Sequence, residues 1–124
     1  MTSSTRMNRV ADRIQVELAD IIRSRVKDPR LGFHTLTRVE VTSDLGSARV
    51  FVSSLDAEAL LVNLETLNRA RGFLRSELGR RLALRHAPEV HFVPDRSGEH
   101  AQRVAEILRD LRSRGEFGDA SGEE

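Results

Sequence analysis

Residues Asn68–Arg85 read NRARGFLRSELGRRLALR, a run of helix-forming residues interrupted near its start by an Ala-Arg-Gly step. A glycine inside a helix costs about 1 kcal/mol relative to alanine. Its position at Gly72, between strong helix formers, therefore predicts a bend: two helices that meet at an elbow instead of one long rod. The same segment sets Arg69, Arg71, Arg75, Arg80, Arg81 and Arg85 against Glu77 alone, a local balance of +5. Positive charge gathered around a bend points to phosphate as the ligand.

The period of the apolar residues places this elbow in a larger order. From about Thr5 to Lys27 they fall at Met7, Val10, Ala11, Ile14, Leu18, Ile21 and Ile22, the three-four spacing of a helix with one buried stripe. Asp28-Pro29 stops that helix and Leu31-Gly32-Phe33 reads as a turn. From His34 to Thr42 the period becomes two, with Thr35, Thr37, Val39 and Val41 on one face and Leu36, Arg38 and Glu40 on the other. A turn over Ser43–Ser47 leads to a second strand, Ala48–Ser54, and the two predict an antiparallel hairpin. Helical spacing returns through Leu60, Leu61, Leu64 and Leu67 to Ala70, and resumes past Gly72 through Leu74, Leu78 and Leu82.

Ala87-Pro88 closes that region, and Glu89–Pro94 predicts a third strand with proline at its end. A last helix, capped by Ser97, carries Ala101, Val104, Ala105, Leu108 and Leu111 on one face. The order α-β-β-α-α-β-α predicts an α+β domain over residues 5–113, a three-stranded sheet with helices packed on one face. Residues 114–124 predict a disordered acidic tail. Up to Gly115, twenty basic residues face fifteen acidic ones; the remaining four acids, Glu116, Asp119, Glu123 and Glu124, bring the whole chain to +1.

Composition removes several kinds of chemistry. There is no cysteine, so disulfides, thiolate metal sites and cysteine nucleophiles are excluded, and a reducing compartment, the cytoplasm, is expected. The first twenty residues carry charge throughout and predict neither a signal peptide nor a membrane span. No phosphate-binding glycine loop, H-E-x-x-H or G-x-S-x-G occurs. Glu89 and His91 share a strand face and could begin a metal or acid/base pair, but no third ligand is evident.

A charge run on a helix is most often its solvated face, so the basic segment has to be read position by position. At 100° per residue, Arg80 lies nearly opposite the line through Leu74, Leu78 and Leu82 and is the most exposed expectation. Arg75 and Arg81 flank that line and lay their stems along apolar neighbours. Phe73, off the leucine line, packs on another element or presents its ring to solvent, with packing favoured. Residue pattern alone leaves nucleic-acid binding and a protein-binding helical face both open.

A set of ordered motifs narrows this. Arg9-Val10-Ala11, Val26-Lys27-Asp28-Pro29-Arg30-Leu31-Gly32, Val39 to Leu45 (VEVTSDL), Leu67 to Arg75 (LNRARGFLR) and Pro88-Glu89-Val90-His91-Phe92 together closely resemble the bacterial ribosome-binding factor A family. The likeness covers about residues 6–112 and keeps motif order and spacing. It implies a type II KH-like fold in which an Ala-x-Gly kink, here Ala70-Arg71-Gly72, replaces the usual G-x-x-G loop. It also implies a non-catalytic factor that binds the small (30S) ribosomal subunit and 16S rRNA late in maturation and promotes processing of the 16S 5′ end, with importance for growth in the cold.

On that reading Arg69, Arg71, Arg75, Arg80, Arg81 and Arg85 neutralise rRNA phosphates, and Lys27 and Arg30 form a second, weaker patch. A monomer without cofactor or metal is expected. The alternative is a protein-interaction module that docks on ribosomal proteins or a maturation GTPase without touching rRNA. Two further expectations follow: replacing Arg80 and Arg81 by alanine leaves stability nearly unchanged, and Gly72→Ala lowers stability if the bend falls at Gly72.

Overall fold

The computed structural model describes residues 4–97 and 101–113. The expected order is present: α1 (Ser4–Arg25), β1 (His34–Val41), β2 (Ser47–Ser54), α2 (Ala57–Arg69), α3 (Arg71–Leu82), β3 (Glu89–Pro94) and α4 (Ala101–Ser113). β1 and β2 pair antiparallel and β2 and β3 parallel, giving a mixed sheet in the order β1-β2-β3. α1 lies on β1, α2 on β2 and β3, and α3 on β3 and α1, while α4 packs against α2. This is the α+β, type II KH-like arrangement. Residues 98–100, against which a cap by Ser97 would form, and the expected tail at 114–124 lie outside the described residues, as do the Ala101 and Val104 side chains.

The core forms where the apolar stripes meet. Ala11, Ile14, Leu18, Ile21 and Ile22 of α1 are buried with Ala48, Val50 and Val52 of β2, Val90 and Phe92 of β3, Leu60, Leu64 and Leu67 of α2, and Leu74 and Leu78 of α3. Leu108 adds the contribution of α4. α2 starts at Asp56, whose carboxylate accepts the Ala59 N–H at 2.8 Å, satisfying one of the free donors of the first turn.

β1 departs from strict alternation. Leu36 pairs with Val52 and Arg38 with Phe51, so Thr37 is an extra residue in a bulge. Leu36 and Val39 therefore share the buried face and Thr37 is displaced outward, which corrects the expectation that Leu36 sits with Arg38 and Glu40. A bulge changes which parity points inward, and nothing in a two-residue period announces it.

Asparagine and glutamine side chains from the helices hold the sheet and its loops. Asn63, buried, accepts the Gly32 N–H at 2.8 Å and donates to the Phe33 carbonyl at 3.0 Å and the Ser54 hydroxyl at 2.9 Å, fixing the turn after α1. Gln15 of α1 donates to the Leu36 carbonyl on the outer edge of β1 at 2.9 Å. On the opposite edge Asn68 donates to the Phe92 carbonyl and accepts the Phe92 N–H, both at 3.0 Å.

Candidate nucleic-acid interface

The elbow falls at Ala70. α2 ends at Arg69, α3 begins at Arg71, and Ala70 between them has φ −90° and ψ 3°. Its N–H reaches back to the Leu67 carbonyl at 3.0 Å, and its carbonyl accepts the Leu74 N–H at 2.9 Å. The chain thus tightens for one step and resumes its helix on a new axis. Gly72 lies inside α3, and a Cβ built there would meet no atom within 4 Å. The break thus falls at Ala70, within the expected Ala70-Arg71-Gly72 step, and Gly72, the expected site of the bend, is a residue of α3. Two residues before it, Asn68 docks on the edge of β3.

The arginines of this segment point to different neighbours. Arg69 pairs with Glu65 one turn earlier, at 2.8 Å. Arg75 donates from Nε to the Ala87 carbonyl at 3.0 Å, with Glu89 4.0 Å from its Nη1. Arg80 is 69% exposed and ion-paired to the buried Glu77, which Arg25 of α1 also approaches at 3.5 Å. Arg81 is only 30% exposed, and its Nη1 bonds Asp20 at 2.6 Å and Glu17 at 3.1 Å, both on α1. Those two carboxylates hold the Arg81 guanidinium firmly protonated, and Arg81 in turn lowers the Asp20 carboxyl, chiefly by its hydrogen bond. Arg81 is thus a strut between α1 and α3, which argues against the expectation that its removal leaves stability nearly unchanged.

Arg71 and Arg85 are exposed and, among the described residues, carry no ion pair; the same holds for Lys27, just beyond α1. Arg30 is held by Asp28 at 2.7 Å. The hydrogen bond from the Arg30 side chain, then that from its backbone N–H, lowers the Asp28 carboxyl to about 2, and the more distant charge of Arg69 adds to this. The Asp28–Arg30 turn and the end of α2 therefore share one electrostatic neighbourhood, while Arg75 and Arg81 face away toward β3 and α1. Phe73, favoured to pack, is instead 42% exposed, with the Arg25 guanidinium 5.6 Å from its ring centre.

Sequence reasoning missed part of the basic surface. Arg38, Arg49, Arg96 and Arg112 line one open groove with Arg71. The polar parity of β1 and β2 was the only signal available for the first two; Arg96 reaches the groove just past the end of β3 and Arg112 through α4, which packs on α2. His91 Nε2 and Glu89 Oε1 lie 3.6 Å apart. Among the described residues no group of three or more histidine, aspartate or glutamate side chains could hold a metal ion, and no helix is long and apolar enough to cross a membrane.

The ribosome-binding factor A profile matches residues 6–108, which takes in the elbow and all three strands. The chain belongs to the ribosome-binding factor A family. It is 49% identical over 111 residues to ribosome-binding factor A of Desulforamulus reducens, covering 89% of this chain and 92% of the relative. The crystal structure of ribosome-binding factor A from Thermus thermophilus superposes with a TM-score of 0.66 at 28% identity, covering 74% of this chain and 98% of that one. A homology model of the Thermus factor fitted into a cryo-EM map of its complex with 30S gives a TM-score of 0.60 at 28% identity, covering 73% and 97%. The chain thus shares its overall fold with solved ribosome-binding factor A structures.

Proposed function

We propose that this chain binds the small ribosomal subunit during its late maturation by gathering 16S rRNA phosphates on the elbow, and that this binding promotes processing of the 16S 5′ end. The observation that carries the reading is the set of exposed cations without carboxylate partners among the described residues, Arg71, Arg85 and Lys27. Family membership and the Thermus relative fitted into a 30S complex support it. Arg69 and Arg30 are exposed enough to exchange a surface carboxylate for a phosphate, since such pairs are worth little in water, and Arg75 and Arg80 are exposed enough to add a phosphate while keeping the Ala87 carbonyl and the buried Glu77 as partners. Arg81 is left to its structural task.

The action is binding without catalysis. A ligand shifts an rRNA folding equilibrium only by the difference in its affinity for the two arrangements, so preference for one rRNA conformation suffices and no bond need be made or broken by the protein. Growth in the cold, where misfolded RNA escapes slowly, is where such a factor matters most.

Cosedimentation with 30S subunits across a salt series tests the proposal. About five phosphate contacts give a slope of log K against log salt of about −3.5 to −4.5, and Arg71→Ala with Arg85→Ala flattens it. A slope near zero, unchanged by that double variant, overturns the reading in favour of docking on a ribosomal protein or a maturation GTPase.

A further inference from the structure

The solvent face of the sheet carries a second arrangement of charge that the elbow does not use. Facing away from the helices, Arg38 pairs across strands with Phe51 and Glu40 with Arg49, and β3 sets His91 beside Arg49 and Val93 beside Phe51. The Arg38 guanidinium lies 3.8 Å from the centre of the Phe51 ring and that of Arg49 5.8 Å. Glu40 is their shared acceptor, 2.9 Å from Arg49 and 3.2 Å from Arg38. One carboxylate thus holds two guanidinium groups against one ring, and one positive charge is left over.

This face joins the elbow through a single groove of about 1030 Å³, lined by Arg38, Arg49 and Phe51 together with Arg71, Arg96 and Arg112. Among the described residues its two acids are Glu40 and Asp95. Asp95 already accepts the Ser97 N–H and hydroxyl at 2.9 and 2.6 Å. Arg71, Arg96 and Arg112 have no ion pair among the described residues. Five arginines against two engaged carboxylates suit a polyanion.

The chemistry favours nucleic acid over an extended peptide. A peptide joining the sheet would need the outward backbone groups of β3, and at Phe92 both are taken by Asn68. A nucleotide strand needs no such groups. A planar guanidinium already stacked on an aromatic ring offers its opposite face to a base, and neighbouring guanidinium groups reach the flanking phosphates.

We infer that a single-stranded RNA segment leaves the elbow at Arg71 and crosses the rim of β3 onto the open face of the sheet, where a base stacks over Arg38 and Phe51 and phosphates meet Arg49 and Arg96. The inference rests on the proposed rRNA binding and adds to it a second contact of single-stranded character.

Fluorescence anisotropy of the full chain with a short unpaired RNA oligonucleotide, and separately with polyglutamate, tests it. Arg38→Gln with Arg49→Gln weakens RNA binding about tenfold and makes the salt slope shallower by about 0.7, the one single-strand phosphate contact made by Arg49. Phe51→Leu, which keeps apolar bulk, weakens RNA and leaves polyglutamate unchanged. Circular dichroism melts of each variant confirm that the fold survives. Unchanged RNA affinity in folded Arg38/Arg49 and Phe51 variants, or equal losses for RNA and polyglutamate in Phe51→Leu, overturns the inference. Because the cosedimentation test uses Arg71 and Arg85, the elbow can pass while the sheet face fails, and the two failures are told apart.

Discussion

The Asn68 carboxamide grips Phe92 by both of its backbone groups, donating to the carbonyl and accepting the N–H at 3.0 Å each. Two residues later α2 gives way to α3. The end of one helix is thus indexed to the rim of the sheet. Asn68→Ala leaves both groups of Phe92 without a protein partner and costs about 2 kcal/mol, read as a lower urea midpoint.

The two glycines of α3 separate by environment. Gly72 is exposed with open space where a Cβ would stand, so Gly72→Ala raises stability by about 0.5–1 kcal/mol through helix propensity alone. At Gly79 a Cβ would lie 3.1 Å from the Ala87 Cβ, so the same change there gives up that gain and falls about 1 kcal/mol below Gly72→Ala. Urea unfolding of the two variants side by side measures the difference.

α3 closes on Ala83 in the left-handed region, φ 55° and ψ 41°, with the N–H groups of Ala83 and Leu84 returning to Arg80 and Gly79. Glycine is the residue that adopts this conformation without strain. Ala83→Gly therefore stabilises the chain by about 1 kcal/mol, visible as a raised thermal midpoint, and leaves 30S binding unchanged.

Arg81 and Arg85 lie four residues apart, yet only Arg81 joins two helices. Arg81→Met lowers the thermal midpoint, whereas Arg85→Met leaves it in place and weakens cosedimentation with 30S severalfold. The reverse pattern, stability lost at Arg85 and binding lost at Arg81, would show their roles to be exchanged.

The Asp28 carboxyl, lowered to about 2 by Arg30, sits below its unfolded value of about 3.9. A depressed acid stabilises the folded state above the unfolded pKa, and that contribution is lost as pH falls toward the folded one. The stability gap between the native chain and Asp28→Asn is therefore constant above about pH 5 and closes between about pH 4 and 2. Thermal melts across that range follow it.

How far the residues foretell these features depends on the range of the interaction. The stripe of Ile14, Leu18 and Ile21 and the parity of Val50 and Val52 are properties of a single element, and each is buried as its period demands. Thr37 escaped because a bulge is settled between two strands. The fate of Arg81 rests on Glu17 and Asp20, which lie 64 and 61 residues away. Counting charges along the segment therefore overstated what the elbow holds free. Asn63 and Asn68 were silent for a similar reason: their partners are mostly backbone groups, which every residue possesses, so composition carries no trace of them.

Each outer rim of the sheet is met by an amide side chain, Gln15 at Leu36 and Asn68 at Phe92. Neighbouring molecules are thereby denied a ready template for zipping rim to rim. Concentrated preparations should stay free of fibres, and a change that clears either rim is where clumping would begin.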